Sequence, residues 1–337
     1  MLYGPWAELA DNQAVLQTHR DHAELQGHSM HVLDRQIMHG MWSKLSYMLM
    51  LVLEELAKPE DERMKWLFWF DLDIIVMNRN VPLDVFLPPE DGFSHINLLV
   101  TNDHNGLNSG SFFLRVSEWA VKYLIDIIAL HSYKPEFKLK YSDQSAQEVM
   151  TLDTRYKANT LYVPQRWFNA YRGPRNDREQ LVRGEKVPAN TIKAGDLQLH
   201  FAGKKVKHLI PTYLALAANN SMGWEMPLKK TKLQMEIALF WKLTKERQDW
   251  DQPVPSKKKA PAAKVAVAAE GAGAEALRAA AVKAENIRGN SVIEQISKLG
   301  ASVDADEGVK HELGSAMDST LAQGESDGSK EDMSSDS

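Results

Sequence analysis

Trp66-Leu67-Phe68-Trp69-Phe70 runs straight into Asp71-Leu72-Asp73. Five large apolar residues without polar alternation read as a strand covered on both faces, as in a central parallel sheet. Residues i and i+2 of a strand share a face. Asp71 and Asp73 are therefore expected to aim two carboxylates at one point, where the strand leaves the sheet. Ligands of open α/β sheets bind beyond such strand ends. Paired hard oxygen donors there suit Mg²⁺ or Mn²⁺ held together with substrate phosphates. The structural alternative is a solvated turn, since DxD is short and recurs by chance. Its place after five bulky residues favours chemistry.

The surrounding chain supplies the rest of an α/β pattern. Residues 7–26 have a helical apolar rhythm, Ser29–Leu33 suggests a short strand, and Met38–Ala57 repeats apolar residues at spacings of three and four. Ile74–Met77, Ile96–Thr101 and Ser111–Val116 read as strands, with Gly106–Gly110 as a turn between the last two. Ser117–Leu130 reads as a helix capped by Ser117, and Asp143–Met150 as another. Alternation from 27 to 201 predicts a mostly parallel central sheet flanked by helices. Met226–Trp241 reads as a closing amphipathic helix that packs rather than binds.

Charge and aromatic content divide the chain. Of 40 basic and 45 acidic residues, ten and fifteen lie in 251–337, so residues 1–250 carry 30 of each. All 28 aromatic residues lie at or before Trp250. A segment without aromatics has little to offset its ordering entropy. The expected organisation is one folded domain over 1–250 and an Ala/Lys-rich, then acidic and Ser-rich, tail over 251–337. Thirteen Ala among residues 260–284 favour a helix there. The net charge of −5 argues against a nucleic-acid partner. Zero cysteines exclude disulfides, thiolate metal sites and cysteine nucleophiles. No stretch has the ~20 apolar residues of a membrane span, and residues 1–11 have no leader-like pattern. Asn219-Asn220-Ser221 is an N-glycosylation sequon.

Beyond the DxD, four ordered motifs resemble one family. They are Trp69-Phe70-Asp71-Leu72-Asp73, Asn108-Ser109-Gly110-Ser111-Phe112-Phe113, Asp143-Gln144-Ser145-Ala146, and Gly195-Asp196 through His200-Phe201-Ala202-Gly203. Their order and approximate spacing are similar to those of glycosyltransferase family 34, the fungal α-1,2-galactosyltransferases and α-1,6-mannosyltransferases, with plant xyloglucan xylosyltransferases as relatives. Weaker echoes are His19 to His28, Met41-Trp42-Ser43-Lys44-Leu45 and Val163 to Tyr171. The resemblance covers about residues 15–215.

It implies a GT-A-like fold and metal-dependent transfer of a hexose from a nucleotide sugar (UDP-hexose or GDP-mannose) with retention of configuration. The acceptor implied is an α-mannoside glycan on glycoprotein, in the Golgi. By resemblance Asp71, Asp73 and His200 hold Mn²⁺ or Mg²⁺. Gly203 lets the backbone approach the diphosphate, and Lys205 neutralises the departing β-phosphate. Asn108 and Gly110 form a turn beside the donor sugar, and Asp143 and Gln144 lie on its far side. Taken alone, His200 is an ordinary strand histidine, Lys205 a solvated lysine, Asn108–Gly110 a turn and Asp143 a helix cap.

The chain also departs from the family. The membrane anchor and the first strand beside the nucleoside are not legible in residues 1–14, and Leu72 stands where small residues are frequent. It either crowds the donor or packs into the sheet. Lys204 replaces a residue that is often Cys. These departures keep a second class open: a non-catalytic or weakly catalytic partner in a Golgi complex of related, mannan-polymerising glycosyltransferases. A DxD phosphohydrolase is a lesser alternative, because Ile75 stands where it needs Thr or Val and no acidic pair follows.

Overall fold

The computed structural model describes residues 2–133, 139–173, 188–220 and 223–247. The tail 251–337, with its expected helix at 260–284, lies outside the described residues.

The strands are β1 (Trp66–Phe70), β2 (Ile74–Val76), β3 (Leu98–Asp103), β4 (Gly106–Arg115), β5 (Thr160–Tyr162) and β6 (Gln198–His200). The main sheet has the order β1-β4-β3-β5. β4 is antiparallel to both neighbours, and β3 pairs with β5 in parallel. Three of its four strands therefore share a direction, in line with the α/β architecture and mostly parallel sheet expected, while two of its three pairings are antiparallel. β2 and β6 form a second, antiparallel pair that sets Ile74 opposite His200.

Two expectations about this sheet need correction. β1 is covered on both faces but is an edge strand of the described sheet, paired with β4. Leu67 and Trp69 face one apolar cluster, and Trp66 and Phe68 pack on the other. Bulky residues at every position report coverage of the faces; they say nothing of neighbours in the plane. Likewise Asn108–Gly110 is no turn. The chain reverses at His104-Asn105, where Asp103 pairs with Gly106 at φ +105° and Asp103 Oδ1 accepts the Asn105 N–H at 2.6 Å. That early reversal lets β4 run unbroken through Asn108-Ser109-Gly110. Ser29–Leu33 forms no strand.

Six helices carry most of the remaining order: α1 (Ala10–Gln26), α2 (Trp42–Leu56), α3 (Glu118–Tyr133), α4 (Asp143–Leu152), α5 (Ile210–Asn219) and α6 (Leu233–Arg247). Helix α1 stops at Gly27, whose left-handed φ of +70° lets its N–H reach back to Ala23 O. Leu45, Met48 and Val52 of α2 recur at helical spacing and bury against α3 and the sheet. The Ser117 hydroxyl caps α3 by accepting the Ala120 N–H at 3.3 Å. On the opposite face, Phe86, Phe113, Trp167 and Phe168 interlock with Phe240 and Trp241 of α6, most rings meeting edge to face. The packing role expected for α6 is the observed one. A third cluster joins α1 and α5 to the β2–β6 pair, with Leu72 packed on it. Among the described residues no helix is long and apolar enough to cross a membrane.

Candidate active site

The two aspartates do not share a face. Strand β1 ends at Phe70, so Asp71 to Asp73 turn rather than alternate. Asp71 looks toward α2 and Asp73 toward β6.

On the first side, Asp71 Oδ1 accepts the Trp69 indole N–H at 2.8 Å and the Lys44 ammonium at 3.3 Å. Lys44 is fully buried. Its Nζ also donates to Ser109 O at 2.7 Å and stands 3.3 Å from Asp143 Oδ2. Burial alone would lower the Lys44 pKa, but the charges of Asp71 and Asp143 outweigh it and keep the ammonium. One cation between two carboxylates leaves a net negative charge. Asp143, the more buried acid, is accordingly pushed up, first by desolvation and then against the pull of Lys44. Asp143 is the first residue of α4 rather than its cap. The cap position belongs to Ser142, which sits at φ +50°. Gln144 Oε1 accepts the Ser109 N–H at 3.3 Å, so α4 and β4 meet on this cluster.

On the second side, Asp73 Oδ1 lies 3.4 Å from His200 Nε2, and its Oδ2 lies 3.1 Å from Lys207 Nζ. Strand pairing enforces this proximity: Ile74 is opposite His200, and the Phe201 N–H donates to Asp73 O at 2.8 Å. Burial would raise the Asp73 pKa, but His200 and Lys207 overcome it and hold the carboxyl well below its usual range. The other His200 nitrogen, Nδ1, lies 2.6 Å from Asn169 Oδ1. Gly110 lies beneath the imidazole, where a Cβ would come within 2.4 Å of His200 Cε1. The glycine of the NSG stretch is thus required by the histidine.

Asp73 and His200 offer a carboxylate oxygen and an imidazole nitrogen to one point, a donor pair that fits a divalent cation. Among the described residues no three His, Asp or Glu side chains form a ready metal cluster, because Asp71 is engaged by Lys44 and Trp69. Of the three expected ligands the structure brings two together. Gly203 has φ +89° with open space where a Cβ would stand, so conformation rather than crowding calls for glycine there. Lys205 is exposed, and it is Lys207 that reaches Asp73. Of the two expectations for Leu72, packing is the one seen: it lies half-buried against the third cluster.

Sequence reading passed over Lys44, Asn169, Asp103 and Tyr171. Lys44 and Asn169 lie in stretches that echo the family only weakly, and nothing local marks a lysine as buried. Arg166 lies in the same stretch as Asn169 and Asp196 in the Gly195–Gly203 motif, and the two form a buried ion pair, with Glu236 of α6 also on the Arg166 guanidinium. Burial pushes the Asp196 carboxyl up, against Arg166. This pair fixes the loop bearing Asn169 against the one leading into β6.

Comparison with known proteins follows the same residues. Residues 87–209 match the galactosyl transferase GMA12/MNN10 family, glycosyltransferase family 34. A probable alpha-1,2-galactosyltransferase, gmh1, of Schizosaccharomyces pombe is 27% identical over 170 residues, 41% of this chain and 48% of the relative. An alpha-1,2-galactosyltransferase of the same yeast is 24% identical over 227 residues, 57% of this chain and 56% of the relative. The chain spans about half the length of these curated relatives. Among solved structures, a glycosyltransferase involved in glycosylation of the major capsid of PBCV-1 is similar at TM-score 0.45 and 12% identity, covering 64% of this chain and 96% of that one. The glycosyltransferase GlyE of Streptococcus pneumoniae TIGR4 gives 0.36 and 13%, covering 65% and 61%. The matched stretch contains Asn108, Gly110, Asp143, Gln144, Asn169 and His200, and over residues 87–209 the chain is similar to the galactosyl transferase GMA12/MNN10 family.

Proposed function

We propose that the chain is a retaining, divalent-metal-dependent hexosyltransferase that moves galactose or mannose from a UDP- or GDP-sugar to an α-mannoside on a glycoprotein glycan, in the Golgi. The observation that carries this reading is the convergence of Asp73 and His200 beside Lys207, with the Lys44–Asp71–Asp143 cluster next to it.

Asp73 and His200 would hold Mn²⁺ or Mg²⁺, the remaining positions going to diphosphate oxygens and water, as hard divalent ions prefer. A cation bound there supplies positive charge to a leaving nucleoside diphosphate. Lys205 and Lys207 add ammonium groups at the same edge, and Gly203 gives the backbone room to approach phosphate. Asp143 and Gln144 lie toward the sugar, where negative charge favours an oxocarbenium-like centre. Lys44 keeps Asp71 and Asp143 a fixed distance apart while sharing its charge between them.

The test is a donor-hydrolysis and transfer screen of the recombinant chain across UDP- and GDP-sugars, with an α-mannoside acceptor and Mn²⁺. Turnover that EDTA stops and Mn²⁺ restores supports the proposal. A folded chain silent on every donor overturns it.

One observation favours a second reading, that of a weakly catalytic partner in a complex with related glycosyltransferases. Asp71 faces Lys44 and Trp69 instead of Asp73 and His200. Calorimetry with Mn²⁺ and nucleotide sugar separates the two, since a partner that has lost donor binding gives no heat.

A further inference from the structure

The contacts behind His200 form a chain of hydrogen bonds whose polarity can be followed from end to end. It starts at the Asp103 carboxylate, which only accepts. Asp103 Oδ2 takes the Tyr171 hydroxyl at 2.5 Å and the Asn108 amide Nδ2 at 2.9 Å. The carboxylate can only accept, so the Tyr171 hydroxyl is the donor of that pair. With its NH₂ committed there, Asn108 turns Oδ1 inward, where it accepts the Gly110 N–H at 2.9 Å and Asn169 Nδ2 at 2.9 Å. Asn169 also donates to Thr101 Oγ1 at 2.9 Å. Its NH₂ is thereby committed in turn, and its Oδ1 faces His200 Nδ1 at 2.6 Å. A carbonyl oxygen accepts, so Nδ1 must carry a proton. Asn169 is fully buried and Asn108 nearly so, and no water is needed to close the chain. The Tyr171 ring also stands edge-on to the imidazole, 5.7 Å between centroids.

We propose that Asp103, Asn108, Tyr171 and Asn169 are positioning residues that hold a proton of His200 on Nδ1, so that Nε2, which faces Asp73, is the ring nitrogen left to bind a metal. The inference rests on the reading of Asp73 and His200 as the metal pair. It adds that the proton on the ligand's far nitrogen is set through three successive hydrogen bonds that begin at the Asp103 carboxylate.

The test has two arms on the full chain. In the metal-free protein, ¹⁵N shifts of the His200 ring, assigned by their loss in His200→Gln, report which nitrogen is protonated. Mn²⁺ alone, titrated by electron paramagnetic resonance, reports affinity. The wild type should show a protonated Nδ1. Asn169→Asp, which still accepts from Nδ1, should keep that tautomer. Asn169→Leu should lose it and bind Mn²⁺ about 10–100-fold more weakly, the usual cost of a lost outer-shell partner. Asp103→Leu should shift the tautomer in the same direction. A wild-type ring with no proton on Nδ1 overturns the proposal, as does a folded Asn169→Leu that binds Mn²⁺ like wild type. Where Asn169→Leu does not fold, the wild-type and Asn169→Asp shifts decide. If the wild type binds no Mn²⁺, the metal reading fails, and the ring shifts still decide the relay.

Discussion

The ammonium of Lys44 lies 3.3 Å from an oxygen of Asp71 and 3.3 Å from an oxygen of Asp143, so one buried cation joins the end of β1 to the start of α4. Removing it leaves two acids facing each other without a counter-charge. Lys44→Met is expected to destabilise the fold by roughly 3–5 kcal/mol, as for other broken buried ion pairs. Urea unfolding followed by tryptophan fluorescence measures this. Adding Asp143→Asn should recover a large part of the loss, and a double variant no more stable than the single would contradict the shared-cation account.

Asp73→Ala is expected to lower sugar transfer by at least about 10²-fold, since a group that gathers charge on the leaving phosphate is lost. The fold should survive, because Asp73 is tied to Phe201 through its backbone carbonyl, not its side chain. Circular dichroism and a donor-hydrolysis assay on the same preparation check both halves. Unchanged turnover would remove Asp73 from the site.

Gly110→Ala keeps an allowed backbone but drives a methyl to within 2.4 Å of His200 Cε1 and 3.0 Å of Asn108 Oδ1. The ring must move. Overpacking of this kind costs about 1–3 kcal/mol, and the displaced imidazole should weaken Mn²⁺ binding at least about tenfold. Thermal melting and a Mn²⁺ titration read the two effects. Native affinity would mean that His200 is not a ligand.

His19 makes stability depend on pH. It stacks on Phe70 at 3.6 Å, and its Nε2–H donates to Ile74 O at 2.7 Å. Burial first, opposed by the Ile74 carbonyl and assisted by His22, lowers its pKa from 6.5 to about 3. The unfolded chain therefore takes up the proton before the folded one does. The contribution is complete above pH 6.5 and falls as pH drops toward 3, by about 1.4 kcal/mol per pH unit. Melting curves at pH 7 and pH 5 should differ by about 2 kcal/mol from this group. In His19→Gln, which keeps a neutral donor, that part of the slope should vanish.

What the sequence made legible was the alternation of elements and the residues of the DxD, NSG and HxxG stretches. The period of apolar residues reports which faces are covered, and this placed α2, β1 and β3 well. It does not report who stands beside a strand, and β1 was assigned to the middle of the sheet on the strength of its faces alone. The turn assigned to Asn108–Gly110 failed for a similar reason: turn-forming residues also occur in strands when a histidine ring lies on top of one. The divergence of Asp71 and Asp73 follows from one residue of strand length, which no pattern resolves. Lys44, Asp103 and Asn169 were missed because their partners are distant in sequence, and a polar residue gives no local sign that it is buried.

The antiparallel pairing of Ile74–Val76 with Gln198–His200 has a consequence for biogenesis. The acid and the imidazole lie far apart in the sequence, and they become neighbours when the later of these residues has left the ribosome and docked. A nascent chain stalled before that point holds the aspartate without its histidine partner. On the proposed reading of the two as metal ligands, the appearance of Mn²⁺ affinity would serve as a clock for the docking of β6.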